Sequence, residues 1–147
     1  MLRKLAEKIW WAMPYYFRIR VVRLVQQKFT ASVVGIVTNE KDEVLILDHY
    51  FRPKHCWGLP GGFLEPFEAP ETGIKRELKE EIDIDLRDVK LLRVRSTGKH
   101  LEIIFSAQGV GEAKVSSGEI RGFGWFSLDQ LPEMSKTQLR FLDEFVG

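Results

Sequence analysis

The chain is poor in cysteine, in proline and in long apolar runs. Its 147 residues contain one cysteine, Cys56, and six prolines, and the formal net charge is only +1. A single thiol excludes an internal disulfide and suits a reducing compartment. A catalytic role for Cys56 with the adjacent His55 is disfavoured, because neighbours on a strand point to opposite faces. No stretch approaches the ~20 consecutive apolar residues that span a bilayer. The opening MLRKLAEKIWWAMPYYFRIR begins with charges and then apolar residues. Glu7 and Lys8 interrupt it early and no small-x-small cleavage site follows, so no secretory signal is expected. The expected location is cytoplasmic. Internal repeats and low-complexity linkers are also absent.

The apolar and charged fractions, 44% and 29%, together with the length, fit one soluble domain with a sizeable core. Charge is unevenly spread. Residues 1–28 hold Arg3, Lys4, Lys8, Arg18, Arg20, Arg23 and Lys28 against one acid, Glu7. Leu2, Leu5, Ile9 and Met13 recur at helical spacing until Pro14, and Tyr15, Ile19, Val22 and Val25 suggest a second short helix. The expected division is a helical extension, residues 1–28, packing on or beside a domain of residues 29–147. Three roles suit the extension. It can cover a domain edge or form a homodimer interface, lie weakly on an anionic membrane surface, or touch nucleic acid through phosphates. The first is favoured, and no stable nucleic-acid partner is expected.

Along the domain, Thr30 to Thr38 and Glu43 to His49 read as a strand hairpin around a turn at Asn39–Asp42. Strands are also expected at Val89–Arg95, Leu101–Gln108 and Ile120–Phe126. Ser127 is a plausible N-cap of a short turn, and Leu139, Leu142 and Val146 mark a closing helix. The class is α+β.

The segment GGFLEPFEAPETGIKRELKEEIDI, Gly61 to Ile84, carries the chemistry. Pro70 suits the first position of a helix. Residues three and four apart share a helical face, so Glu77, Glu80 and Glu81 gather on one side. Gly73, one turn earlier, is expected to leave room there for a ligand. Ile74, Leu78 and Ile82 form a separate apolar stripe, and Lys75 and Lys79 point away from the acids. Crowded carboxylates repel unless a cation sits among them. A hard divalent ion, which prefers oxygen ligands and often also holds substrate phosphates, is the natural one. A solvated acidic face is the bland alternative, but it does not explain the fixed spacing of Gly62, Glu68, Arg76-Glu77-Leu78, Glu80-Glu81 and Ile84.

That spacing resembles the signature of the Nudix hydrolases. Trp57-Gly58-Leu59-Pro60 before the glycines and Gly124-Trp125-Phe126-Ser127-Leu128 late in the chain look like the family's flanks. The resemblance implies an α/β/α sandwich around a mixed sheet. It also implies Mg²⁺- or Mn²⁺-dependent hydrolysis of a diphosphate linkage in a nucleoside diphosphate joined to another group, such as a nucleoside diphosphate sugar or an ADP-ribose-like compound. The alternatives are a nucleoside triphosphate pyrophosphohydrolase of the sanitising type and a non-catalytic nucleotide sensor. Glu77 and Glu81 would be the principal metal ligands, with Glu80 and the Gly61 carbonyl completing the set. Glu68 and Arg76 would hold loop against helix and orient Glu77. Glu119 is the expected additional base, with Glu112 second. Arg52, Lys54 and His55 are candidates for substrate phosphate, Trp57 or Phe51 for stacking a base, and Arg93, Arg95, Lys99 and His100 for further contacts. The sequence departs from the pattern at Phe67 and Asp83, where glycine is common, and at Gly73, where alanine is usual. The position of Asp83 normally takes a positive φ, which aspartate tolerates better than most residues, so some local strain or a shifted helix end is expected.

Overall fold

The computed structural model describes residues 2–52 and 54–146; Pro53, within the expected 50–55 loop, lies outside the described residues. Two short helices come first, α1 (Leu2–Ala12) and α2 (Tyr15–Val25). They are followed by strands β1 (Thr30–Thr38), β2 (Val44–His49) and β3 (Trp57–Gly58), and then by helix α3 (Pro70–Ile82). Strands β4 (Asp85–Ser96), β5 (His100–Val110) and β6 (Ile120–Phe126) precede a 3₁₀ turn at Leu128–Gln130 and helix α4 (Lys136–Phe145).

The strands make one mixed sheet. β1 runs parallel to β5, from Thr30 opposite His100 to Thr38 opposite Gln108, and every other pairing is antiparallel. The β-branched run of β1 explains its central place, since alternate residues can be buried on both faces. Val33 and Val37 face one core with Ile74, Leu78 and Ile82 of α3. Val34 and Ile36 face the other core with Phe141 and Leu142 of α4. The sheet therefore lies between α3 and α4, as an α/β/α sandwich. β4 is longer than the expected 89–95. It forms the edge, where charged residues and two register shifts against β5 limit further pairing.

β1 and β2 pair only at Thr38 and Val44 and then diverge. The segment after β3 fills the gap. Gly35 N–H donates to Pro60 O at 2.9 Å, Val33 N–H to Gly62 O at 2.9 Å, and Leu64 N–H to Ala31 O at 3.0 Å. This inserted segment carries both glycines to the sheet centre, facing α3. Gly61 has φ +139°, and a Cβ there would lie 2.1 Å from the Val33 carbonyl oxygen. Only glycine lets the segment approach β1 so closely.

Two local expectations are corrected. Gly73 does not open space for a ligand. A Cβ there would meet Leu64 at 2.5 Å and Glu68 at 3.1 Å, so its missing side chain admits the preceding loop. Ser127 makes no side-chain cap; instead Ser135 caps α4 by accepting from Gln138 N–H at 3.3 Å. Neither α1 nor α2 has a fully buried residue among the described ones.

Candidate active site

Helix α3 presents its acids as its spacing dictates. Ile74, Leu78 and Ile82 are fully buried against the sheet. That fixes the helix rotation and turns Glu77, Glu80 and Glu81 toward the Gly61–Gly62 segment. The helix ends at Asp83, which adopts the left-handed conformation (φ 52°, ψ 34°) and pairs with Lys79 at 2.8 Å. Phe67 also has a positive φ, 68°. Both departures from glycine thus keep a glycine-like backbone.

A cleft of about 510 Å³ lies at this junction. Gly61, Gly62, Glu77, Glu80 and Glu81 line it, as do His49, Phe51, Arg52, Phe63, Ser117 and Glu119. Loop 111–119 is stitched across the end of α3, which brings Glu119 to the cleft. Lys114 N–H donates to Ile82 O at 2.8 Å, Ser116 N–H to Glu81 O at 3.0 Å, and the Ser116 hydroxyl to Glu80 O at 2.7 Å. Tyr50 N–H then donates to Glu119 O at 2.9 Å, which joins this loop to the end of β2.

Arg76 organises the outer wall. Its Nε donates to Glu68 Oε1 at 2.8 Å and its Nη2 to Glu68 Oε2 at 3.0 Å, a bidentate pair, and Nη2 also reaches Phe63 O at 3.1 Å. Its Nη1 donates to Glu77 Oε1 at 2.9 Å and to Glu80 Oε2 at 3.0 Å. The hydrogen bonds from Arg76 hold the Glu68 carboxyl down to about 2. One guanidinium thus serves three carboxylates.

Glu81 lies beyond this guanidinium's reach. It is only 9% exposed, and its Oε2 is buried without a hydrogen-bond partner. Burial, then the neighbouring Glu77 charge, push its carboxyl up to about 8; Gly61 N–H and the Arg52 charge offset this in part. Such a group has lost water without gaining a counter-charge. Among the described residues, no three acid, histidine or cysteine side chains already surround one point.

A divalent cation nevertheless fits the residues present. The donors are all oxygens, the set preferred by a hard ion. Glu81 Oε2 awaits a partner. A Cβ on Gly62 would lie 2.5 Å from the Glu77 carboxyl, so the glycine lets that carboxylate lie directly against the loop backbone. The Pro60 and Gly62 carbonyls are taken by β1.

The other candidates are divided. Arg52 lines the cleft. Its Nη1 fills the notch left by Gly58, where a Cβ would be 1.8 Å away, and its Nη2 donates to Leu59 O at 3.4 Å. Phe51 lines the cleft and is exposed. Trp57 does not line it. Its ring meets Phe126 edge-on at 5.6 Å within the α4-side core, which corrects the stacking expectation. Lys54 is exposed and outside the cleft lining, and His55 is drawn to Glu133, 3.4 Å away. Arg93 pairs with Glu144 and lies over Phe145, while Arg95 pairs with Glu102 and lies over Phe141. Both arginines therefore tie the sheet to α4. His100 is held by Thr30 at 2.7 Å and Ser32 at 2.8 Å. Lys99 and Glu112 are exposed and do not line the cleft.

Sequence reasoning missed His49, Phe63 and Ser117. His49 is 8% exposed, its Nε2 has no partner, and burial followed by the Arg52 charge lowers it to about 4. It therefore enters the cleft wall as a neutral imidazole. Its position at the end of β2 carried no local signal. Phe63 follows the glycines directly, and its ring rests edge-on against His100 at 5.7 Å.

A family model described as the NUDIX domain matches residues 28–145. The chain is 32% identical over 106 residues to an 8-oxo-dGDP phosphatase of Mus musculus, covering 68% of this chain but spanning only a third (33%) of that relative's length. It is 28% identical over 123 residues to an ADP-ribose pyrophosphatase of Methanocaldococcus jannaschii, covering 78% of this chain and 72% of the relative. The crystal structure of a MutT NUDIX hydrolase from Burkholderia pseudomallei superposes with a TM-score of 0.71 at 24% identity, over 80% of this chain and 98% of that one. With the matched domain, the sandwich fold and a glutamate-lined cleft in agreement, this chain belongs to the Nudix hydrolase family.

Proposed function

We propose that the protein is an Mg²⁺-dependent diphosphatase that cleaves the linkage in a nucleoside diphosphate joined to another moiety and releases a nucleoside monophosphate. One observation carries this: four carboxylates, Glu77, Glu80, Glu81 and Glu119, face one cleft, and the most buried of them, Glu81, has an unpartnered oxygen. A cation bound among them would offset their mutual repulsion.

Glu77, Glu81, Glu80 and the Gly61 carbonyl would hold Mg²⁺, with Mn²⁺ an acceptable substitute. The ion would neutralise the diphosphate and raise the acidity of water. The chain's own residues supply the rest. Arg76 keeps Glu77 against the glycine segment through the Glu68 pair. Arg52, which lines the cleft, would place its guanidinium beside a substrate phosphate oxygen. Glu119, on the facing loop, accepts the proton of the attacking water as its oxygen bonds to phosphorus and the bridging P–O bond breaks. Phe51 and Phe63 flank the cleft and offer apolar faces to a base. The ADP-ribose pyrophosphatase relative supports a linked diphosphate as substrate.

A panel assay tests this. Candidate compounds are incubated with protein and Mg²⁺, and phosphate is detected with and without an added phosphatase. Release only after both enzymes act indicates a linked diphosphate, as proposed. Direct pyrophosphate release from nucleoside triphosphates would replace the proposal with the sanitising reaction. Tight nucleotide binding with no turnover would replace it with a sensor.

A further inference from the structure

We infer that α1 and α2 form a docking element for an anionic phospholipid surface. Among the described residues, many of the exposed large apolar side chains lie on these two helices. On α1, Leu2, Leu5 and Ile9 share one face and stand 85%, 58% and 56% exposed. Arg3, Lys4, Glu7 and Lys8 occupy the opposite arc of the same helix. On α2, Phe17, Val21 and Leu24 recur along an exposed stripe. Water is a poor partner for so much apolar surface in a folded protein.

The charge selects the occupant. Residues 2–28 carry seven basic side chains against one acidic, a net +6, within a chain of net +1; the remaining residues therefore carry −5. An anionic bilayer attracts the helices, repels the acidic catalytic domain, and takes the aliphatic face of α1 into its acyl boundary. A second copy would bring two +6 patches together. Nucleic acid would satisfy the charges and leave the leucines in water. Arginine also stands beside interfacial aromatics, where both suit the headgroup layer. The Arg18 guanidinium lies 5.1 Å from the Trp11 ring centre, and Arg20 lies 4.8 Å over Tyr16 while donating to its hydroxyl at 3.2 Å. No helix among the described residues is long and apolar enough to cross a membrane, so the element lies on the surface.

The full chain should float with vesicles of mixed phosphatidylcholine and phosphatidylglycerol, and not with phosphatidylcholine alone. Raising salt should weaken the association. The double variant L5E/I9E alters only exposed positions. It should bind the anionic vesicles more than about tenfold less well while turnover of a soluble substrate stays at the wild-type level. Three results would overturn the inference. The wild type could ignore anionic vesicles, or bind neutral ones equally. L5E/I9E could bind anionic vesicles as the wild type does. Or sedimentation could show a wild-type dimer, abolished by L5E/I9E, in a protein that vesicles do not capture.

Discussion

A methyl group on Gly62 would lie 2.5 Å from the carboxyl carbon and both carboxylate oxygens of Glu77. Backbone and acid are therefore in direct contact across the cleft floor, and the side chain that glycine lacks is the space the carboxylate uses. Gly62→Ala should push Glu77 off the glycine segment and weaken divalent-ion binding by roughly tenfold or more. The chemical-denaturation midpoint should move little. Gly61→Ala should behave differently. Its added methyl would strike the Val33 carbonyl oxygen on a backbone with φ +139°, and the cost should be about 2 kcal/mol or more of stability. Urea titrations and metal calorimetry on the two variants check the contrast.

Glu81 gives a pH signature. Its carboxyl lies near 8 in the fold, against an ordinary 4.5. Between those values the native state binds more protons than the unfolded chain. The stability of the metal-free protein should therefore fall as pH rises from about 5 to about 8, then level off. The total loss should be on the order of a few kcal/mol. Glu81→Gln should flatten that slope and leave the metal-free protein more stable at pH 8, while turnover drops by roughly 10²-fold or more. Urea midpoints across the pH range decide it. An unchanged slope would show that Glu81 is not the buried acid responsible.

Arg76 should not tolerate lysine. An ammonium cannot reproduce the two-pronged bond to Glu68 while also reaching Glu77 and Glu80. Arg76→Lys should cost roughly 1–3 kcal/mol. The Glu68 carboxyl, held down to about 2, contributes stability present above its unfolded value and lost as pH falls toward 2. In Arg76→Lys this acid transition should begin at a higher pH, as circular dichroism would show.

Glu119→Gln should separate proton transfer from metal binding. The rate should drop by roughly 10²-fold, with metal affinity changed only a few-fold. The shape of the pH–rate profile should change. A profile identical to wild type would remove Glu119 from the base role.

Much of this was legible in the sequence because periodicity fixes rotation. Once Ile74, Leu78 and Ile82 must be buried, Glu77, Glu80 and Glu81 have one direction to face. The β-branched run of β1 likewise located its strand without ambiguity, whereas Asp83 ended the helix in a left-handed conformation and not by the expected strain or shift. What was illegible depends on contacts between distant segments. Gly73 could not reveal that Leu64 and Glu68 fill its space, because that requires the path of the preceding loop. Trp57 looked free to stack on a base until its pairing opposite Asp48 turned it toward Phe126. His49 joined the cleft only because Tyr50 binds the Glu119 carbonyl, which folds the end of β2 against loop 111–119. Arg93 and Arg95 were candidates by charge alone, and the position of α4 assigned them to packing.

The central claim is that the Glu77–Glu80–Glu81 cleft binds a divalent cation, and titration calorimetry with Mg²⁺ and Mn²⁺ near pH 7 tests it most directly. The intact protein should take up the ion, alone or with a nucleotide present, and release protons as Glu81 ionises, an effect absent in Glu81→Gln. No heat of uptake under either condition, or equal binding and proton release by Glu81→Gln, would contradict the account.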